Sequence, residues 1–162
     1  EASLRQRVLT LKDLDESVLA EVSQELSPTK GAAALIAAIH QRGGKAAAVS
    51  GGFIQLLGPV KSKLGFEIER ANTLEVVDGK LTGEVVGKVI DRAAKAEALI
   101  EWSEELGVPI HQTIAVGDGA NDLGMMEIAG LSVAFCAKPV VQQKAKIALN
   151  ERDLSLLIQL LP

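Results

Sequence analysis

From Lys45 onward, short apolar runs alternate with stretches of helical period, and this alternation limits the fold more than any other feature. Residues 45–49, 113–116 and 131–135 are apolar runs of four or five residues. They are too short for core helices and read as buried parallel strands. Helical patterns cover 53–64, 93–106 and 123–129, and Gly107 and Pro109 stop the second. A further strand begins near Phe66, and a short helix is expected after Pro139 and a last one after Asp153. Runs at 74–77 and 81–86 flank Asp78-Gly79, a two-residue hairpin signal. Strands alternating with helices argue for an α/β fold with a mostly parallel sheet.

The first thirty residues lack that alternation. Leu4, Val8 and Leu11 share one helical face. Asp15 can cap a second helix with Val18, Leu19, Val22 and Leu26 on its apolar side. Ser27-Pro28-Thr29 breaks the pattern, and an Ala-rich helix over 31–42 ends at Gly43-Gly44. The expected division is a helical cap remnant over 1–28 and a core over 29–162, with a hairpin flap at about 72–88.

Several function classes fall away on composition. A net charge of −4 gives no attraction to a nucleic-acid backbone, and 2% aromatics leaves little for stacking on bases. Cys136 is the single cysteine, so neither an internal disulfide nor a cysteine metal cluster can form. With no membrane-length apolar run and no signal-peptide pattern, the expected setting is the cytoplasm.

Ligands of open α/β sheets gather at the carboxyl ends of strands. One such end is Val116-Gly117-Asp118-Gly119-Ala120-Asn121-Asp122. A dinucleotide loop would keep bare N–H groups between its glycines, whereas here a carboxylate stands there. A hard cation such as Mg²⁺ takes one or two carboxylates plus water and phosphate, so the loop reads as an acidic Mg²⁺-phosphate site. The plainer reading is an Asp/Asn/Gly turn. The second end, Ser50-Gly51-Gly52, offers a hydroxyl and backbone N–H groups, which suit either a phosphate cradle or a helix cap. Taken alone, Lys95 and Arg7 read as solvated charges. His40 reads as structural, and His111 has no metal-ligand spacing to it. Lys138-Pro139 suits either a part in shaping the site or a plain turn at the end of a strand.

These segments, in order, resemble the phosphoserine phosphatases of the haloacid dehalogenase superfamily. The resemblance is carried by Val49-Ser50-Gly51-Gly52-Phe53, Arg70-Ala71-Asn72-Thr73-Leu74, Val77-Asp78-Gly79-Lys80-Leu81-Thr82-Gly83, Ala94-Lys95, the Gly117–Asp122 loop and Ala134-Phe135-Cys136-Ala137-Lys138-Pro139. The opening Ser3-Leu4-Arg5-Gln6-Arg7-Val8 is similar to the family's cap. The resemblance implies a Rossmann-like three-layer α/β/α core with a hairpin flap. It also implies Mg²⁺-dependent hydrolysis of phosphoserine through a phosphoaspartate, within serine biosynthesis. By the same resemblance Ser50 and the Gly51 N–H bind phosphate, and Lys95 holds the phosphoryl oxygens. Asp118 ligates Mg²⁺, Asn121 contacts phosphate or substrate, and Asp122 orients Lys95. Arg7 pairs with the substrate carboxylate. The family often forms dimers, so the partner expected beyond the small substrate is a second copy or a missing N-terminal segment.

The family's nucleophile and its general acid-base sit in an Asp-x-Asp-x-Thr segment at the end of the first core strand. The resemblance places that segment ahead of Glu1, so the expectation is that both aspartates and the central strand are absent here. Asp13-Leu14-Asp15-Glu16-Ser17 imitates the motif. Lys12 interrupts the apolar run before it, and the resemblance puts it in the cap, so it reads as a decoy. Two alternatives remain: a phosphatase for another small phosphomonoester, and an inactive module that binds phosphate and Mg²⁺.

Overall fold

The computed structural model describes residues 2–162; Glu1 lies outside the described residues. The chain forms two compact units. One comprises the residues up to Val89 together with Asp153–Pro162, and the other is Ile90–Arg152. The boundary expected between residues 28 and 29 falls inside the first unit.

The first unit begins with three helices, α1 (Ala2–Leu9), α2 (Ser17–Glu25) and α3 (Ala32–Gln41). They precede β1 (Ala47–Phe53), α4 (Ile54–Leu64), β2 (Ile68–Val77) and β3 (Lys80–Val86). The sheet order is β1-β2-β3, with β1 parallel to β2 and β3 antiparallel to it. The Asp78-Gly79 turn closes the hairpin as expected, with φ of 50° and 75°. Both values lie in the left-handed region that two-residue hairpin turns need. Along β3, Leu81, Gly83 and Val85 are buried while Lys80, Glu84 and Val86 are exposed, so one face is packed and one is wet. Val8, Leu74, Leu81, Val85 and Val89 form a buried cluster, with Leu4, Leu11, Val18, Leu19 and Phe53 packed against it. The apolar stripe read from α1 therefore lies on the hairpin. Val8 is 1% exposed, and burying such a side chain is worth about 2 kcal/mol. A 3-10 helix, Leu154–Leu160, packs on α3.

The second unit runs α5 (Arg92–Glu105), β4 (Ile114–Gly117), α6 (Leu123–Ile128), β5 (Leu131–Phe135), α7 (Pro139–Gln142) and β6 (Ile147–Leu149). Its strands are all parallel in the order β4-β5-β6. Val133 and Ala134 are fully buried, as expected for a strand covered on both faces. The fold is α/β with parallel pairing. Among the described residues β1 pairs only with β2, and β4 only with β5. No helix among these residues is long and apolar enough to cross a membrane.

Three local expectations shift. The strand expected over 45–49 instead runs from Ala47 through Ser50-Gly51-Gly52 to Phe53, so α4 starts at Ile54. The segment stays extended because its register slips: Val49 pairs with Arg70, but the next pair is Phe53 with Asn72. The last helix is 3-10 rather than α. β6 is an additional strand, too short at three residues for its periodicity to be read.

Candidate functional site

The acidic loop is built by the end of β4. Asp122 is buried at 5% exposure and organises everything around it. Its Oδ2 accepts hydrogen bonds from the Asp118 and Gly119 N–H groups, both at 3.0 Å. Its Oδ1 lies 2.6 Å from Lys95 Nζ. One carboxylate thus holds two loop amides and one ammonium. Both of its oxygens are engaged within the protein. Gly117 is required by close approach, since a Cβ there would collide with the Asp122 side chain.

Lys95 reaches Asp122 from the first turns of α5. Asp91 caps that helix, its Oδ1 accepting from the Ala94 N–H at 2.9 Å. Ala94, Lys95, Ala98 and Trp102 form the buried face. Across from them, α6 packs on α5 through Gly124, where a Cβ would meet the Arg92 carbonyl oxygen at 2.7 Å. An Arg92–Glu127 ion pair at 2.7 Å adds a second tie. Lys95 is therefore a buried, paired lysine at 5% exposure and not a solvated one, which corrects the reading of the residue taken alone. The reason is tertiary: its partner lies 27 residues away in sequence.

Asp118 is the opposite case. It is exposed, and its carboxylate takes part in no hydrogen bond or ion pair among the described residues. Its free oxygens sit beside a backbone loop fixed by Asp122. That donor set fits a hard cation that keeps most of its ligands as water or phosphate. Among the described residues no three His, Cys, Asp or Glu side chains gather around one point. Asn121 is exposed in the short 3-10 turn Ala120–Asp122.

In the first unit, Ser50 and Gly51 are half-buried within the slipped part of β1. Ser50 Oγ accepts from the Gly52 N–H at 3.0 Å. Arg7 is exposed on α1, with its Nε donating to the Ser3 carbonyl at 3.2 Å. The structure therefore gathers Lys95, Asp118, Asn121 and Asp122 on one loop and helix, and Ser50 with Gly51 on one strand. Asn72 has no expected role from the sequence, yet it is 1% exposed and donates from Nδ2 to the Gly51 carbonyl at 2.8 Å. Two signals mark it: its place in the Arg70–Leu74 motif of the resemblance, and a short polar amide inside a strand.

The decoy aspartates sit elsewhere. Asp13 has φ of 67°, and its N–H donates to the Leu81 carbonyl. Asp15 forms an antiparallel bridge with Lys80, and its Oδ1 accepts from the Ser17 N–H at 2.9 Å. This segment is a turn laid along β3, not the end of a parallel strand. His40 Nε2 is 3.0 Å from Glu67 Oε1, a structural contact as expected. Pro139 opens α7 at its first turn.

A family model for haloacid dehalogenase-like hydrolases matches residues 2–127. The chain is 47% identical over 161 residues to a phosphoserine phosphatase of Streptomyces coelicolor, covering 99% of this chain and 39% of that protein. It is 46% identical over 154 residues to a phosphoserine phosphatase of Methanocaldococcus jannaschii, covering 95% of this chain and 73% of the relative. A solved structure of a phospho-aspartyl intermediate analogue of phosphoserine phosphatase superposes with a TM-score of 0.95 at 43% identity. That match covers 100% of this chain and 78% of the other. The chain belongs to the haloacid dehalogenase-like hydrolase family. The resemblance drawn from the ordered motifs thus identified the family correctly.

Proposed function

We propose that this chain is the cap remnant and core of a Mg²⁺-dependent phosphoserine phosphatase. The observation that carries the reading is the Asp122-centred loop, with buried Lys95 on one side and the open Asp118 carboxylate on the other. Relatives in Streptomyces and Methanocaldococcus are named phosphoserine phosphatases, and a structural neighbour is described as a phospho-aspartyl intermediate analogue of phosphoserine phosphatase.

Each residue takes a role suited to its surroundings. Lys95 presents a positive charge whose direction Asp122 fixes, so phosphoryl oxygens meet a preorganised donor. Asp118 holds Mg²⁺, which when bound neutralises charge on the phosphate. Ser50 and the Gly51 N–H bind phosphate oxygens, and Asn121 contacts phosphate or substrate. Arg7 supplies the planar guanidinium that a substrate carboxylate calls for. The reaction transfers phosphate to an aspartate and then hydrolyses the phosphoaspartate, giving serine and phosphate.

The nucleophilic aspartate is supplied from outside residues 1–162. Asp13 and Asp15 lie in a turn whose backbone is bonded along β3, and β1 and β4 each keep one edge on which a parallel strand can pair.

The test is phosphate release from phosphoserine, with and without Mg²⁺. Residues 1–162 alone are expected to be inactive. The same chain with an upstream Asp-x-Asp-x-Thr strand is expected to turn over, and to lose turnover in Asp118→Asn. Mg²⁺-dependent turnover by residues 1–162 alone would overturn the external nucleophile. An extended chain that hydrolyses other phosphomonoesters but not phosphoserine would overturn the substrate.

A further inference from the structure

The slip between β1 and β2 leaves Ser50, Gly51 and Gly52 without regular ladder partners, since Val49 pairs with Arg70 and the next pair is Phe53 with Asn72. Two side chains hold the segment in place. Asn72 Nδ2 donates to the Gly51 carbonyl at 2.8 Å. The Gly52 N–H donates to Ser50 Oγ at 3.0 Å. These are the two ends of one peptide unit, which is planar, so its carbonyl and N–H point in opposite directions. Fixing the carbonyl therefore fixes where the N–H points, and the N–H in turn holds the serine oxygen.

A hydroxyl has one proton to donate and two lone pairs to accept with. With a lone pair of Ser50 Oγ engaged by Gly52, its proton is directed to another acceptor. From this geometry we infer that Asn72 is a positioning residue. Acting through the Gly51–Gly52 peptide, it aims the Ser50 hydroxyl as a donor to a phosphate oxygen. This rests on the phosphate-binding role given to Ser50 above.

Asn72 suits the task because it is rigidly buried, at 1% exposure. Its neighbour in the sheet is secured in a similar way. Gln55, in the first turn of α4, donates to the Leu74 carbonyl at 2.8 Å and accepts from the Leu74 N–H at 3.3 Å. Side-chain amides thus take the place of ladder bonds within the slip and just beyond it. An aspartate at position 72 would keep the shape of the side chain but, ionised, would turn an acceptor toward the Gly51 carbonyl.

The experiment combines amide hydrogen exchange with a double-mutant cycle on residues 1–162. In the unmodified chain the Gly52 amide and one Asn72 side-chain proton should exchange slowly. In Asn72→Asp and in Asn72→Ala the Gly52 amide should exchange faster while Leu74 and Val85 stay protected, which reports an intact core. Orthophosphate affinity with Mg²⁺, read by phosphorus NMR, should fall about tenfold in Asn72→Ala, the scale of one hydrogen bond. In the Ser50→Ala background the same change should cost less than about twofold, because the group it positions is gone.

Equal losses in both backgrounds would overturn the positioning role while leaving phosphate binding at Ser50 intact. A Gly52 amide that exchanges equally in the folded Asn72→Asp variant would overturn it as well. If both variants unfold, rapid exchange of the Asn72 side-chain amide in the unmodified chain overturns the inference, and slow exchange supports it. An unmodified chain that binds no orthophosphate brings down the reading of Ser50, and this role for Asn72 with it.

Discussion

Lys95 Nζ and Asp122 Oδ1 lie 2.6 Å apart, and their side chains are only 6% and 7% exposed. A buried ion pair of this kind is held by what surrounds it. Here the second oxygen of Asp122 is saturated by two loop amides, so no acceptor is wasted. The pair links α5 to the end of β4 and makes stability and chemistry depend on the same carboxylate.

Removing one partner should therefore cost far more than removing both. Asp122→Ala leaves a buried ammonium and two unpaired amides, and should lose about 3–5 kcal/mol. The double variant Lys95→Met with Asp122→Leu should lose less than Asp122→Ala alone, because no uncompensated charge remains. Urea unfolding midpoints at constant slope measure both. A double variant less stable than Asp122→Ala would contradict the account.

Asp118 should behave in the opposite way. Its carboxylate is exposed and unpartnered, so Asp118→Asn should change stability by no more than about 0.5 kcal/mol. The same variant should lose Mg²⁺ binding, followed by calorimetry on the folded protein. Unchanged Mg²⁺ affinity would remove Asp118 from the metal site.

Gly117 offers a steric test of the loop. A Cβ there runs into the Asp122 side chain, so Gly117→Ala should destabilise by about 1–3 kcal/mol. The displaced carboxylate should also release the Asp118 and Gly119 amides to faster hydrogen exchange. Loss of stability with both amides still protected would place the strain somewhere other than Asp122.

Asp153 is one carboxylate that should make the first unit sensitive to acid. A hydrogen bond and ion pair with Lys30 at 2.8 Å, then the Ser155 hydroxyl and N–H, pull its carboxyl from 3.8 down to about 2. The folded state thus favours the ionised form. Its contribution is complete above the unfolded value near 3.8 and disappears as pH falls through about 2. Asp153→Asn should lower the melting temperature at neutral pH and flatten its pH dependence between those two values. An unchanged acid slope would mean that other carboxylates govern it.

Much of the architecture was legible from local pattern. The β5 run, the hairpin at Asp78-Gly79, the α1 stripe on Val8 and the stop of α5 near Gly107 all follow from periodicity and turn chemistry. The path of β1 was not, because glycines at 51 and 52 read as a break when a register slip keeps them extended. β6 escaped because three residues carry no period.

For the candidate site, residue order alone gave away the loop's polar groups and the family. Asp118, Asn121 and Asp122 stand within five residues, and that grouping is local. Which carboxylate is free and which is engaged follows from the folded chain. Asp118 and Asp122 are the same residue type four positions apart, yet one faces water and the other is closed over Lys95 and two amides. That difference depends on the packing of α5 against α6, and long-range packing leaves no mark on residue type. Asn72 makes the same point: its partner Gly51 is 21 residues away, and only the folded sheet brings the amide to that carbonyl.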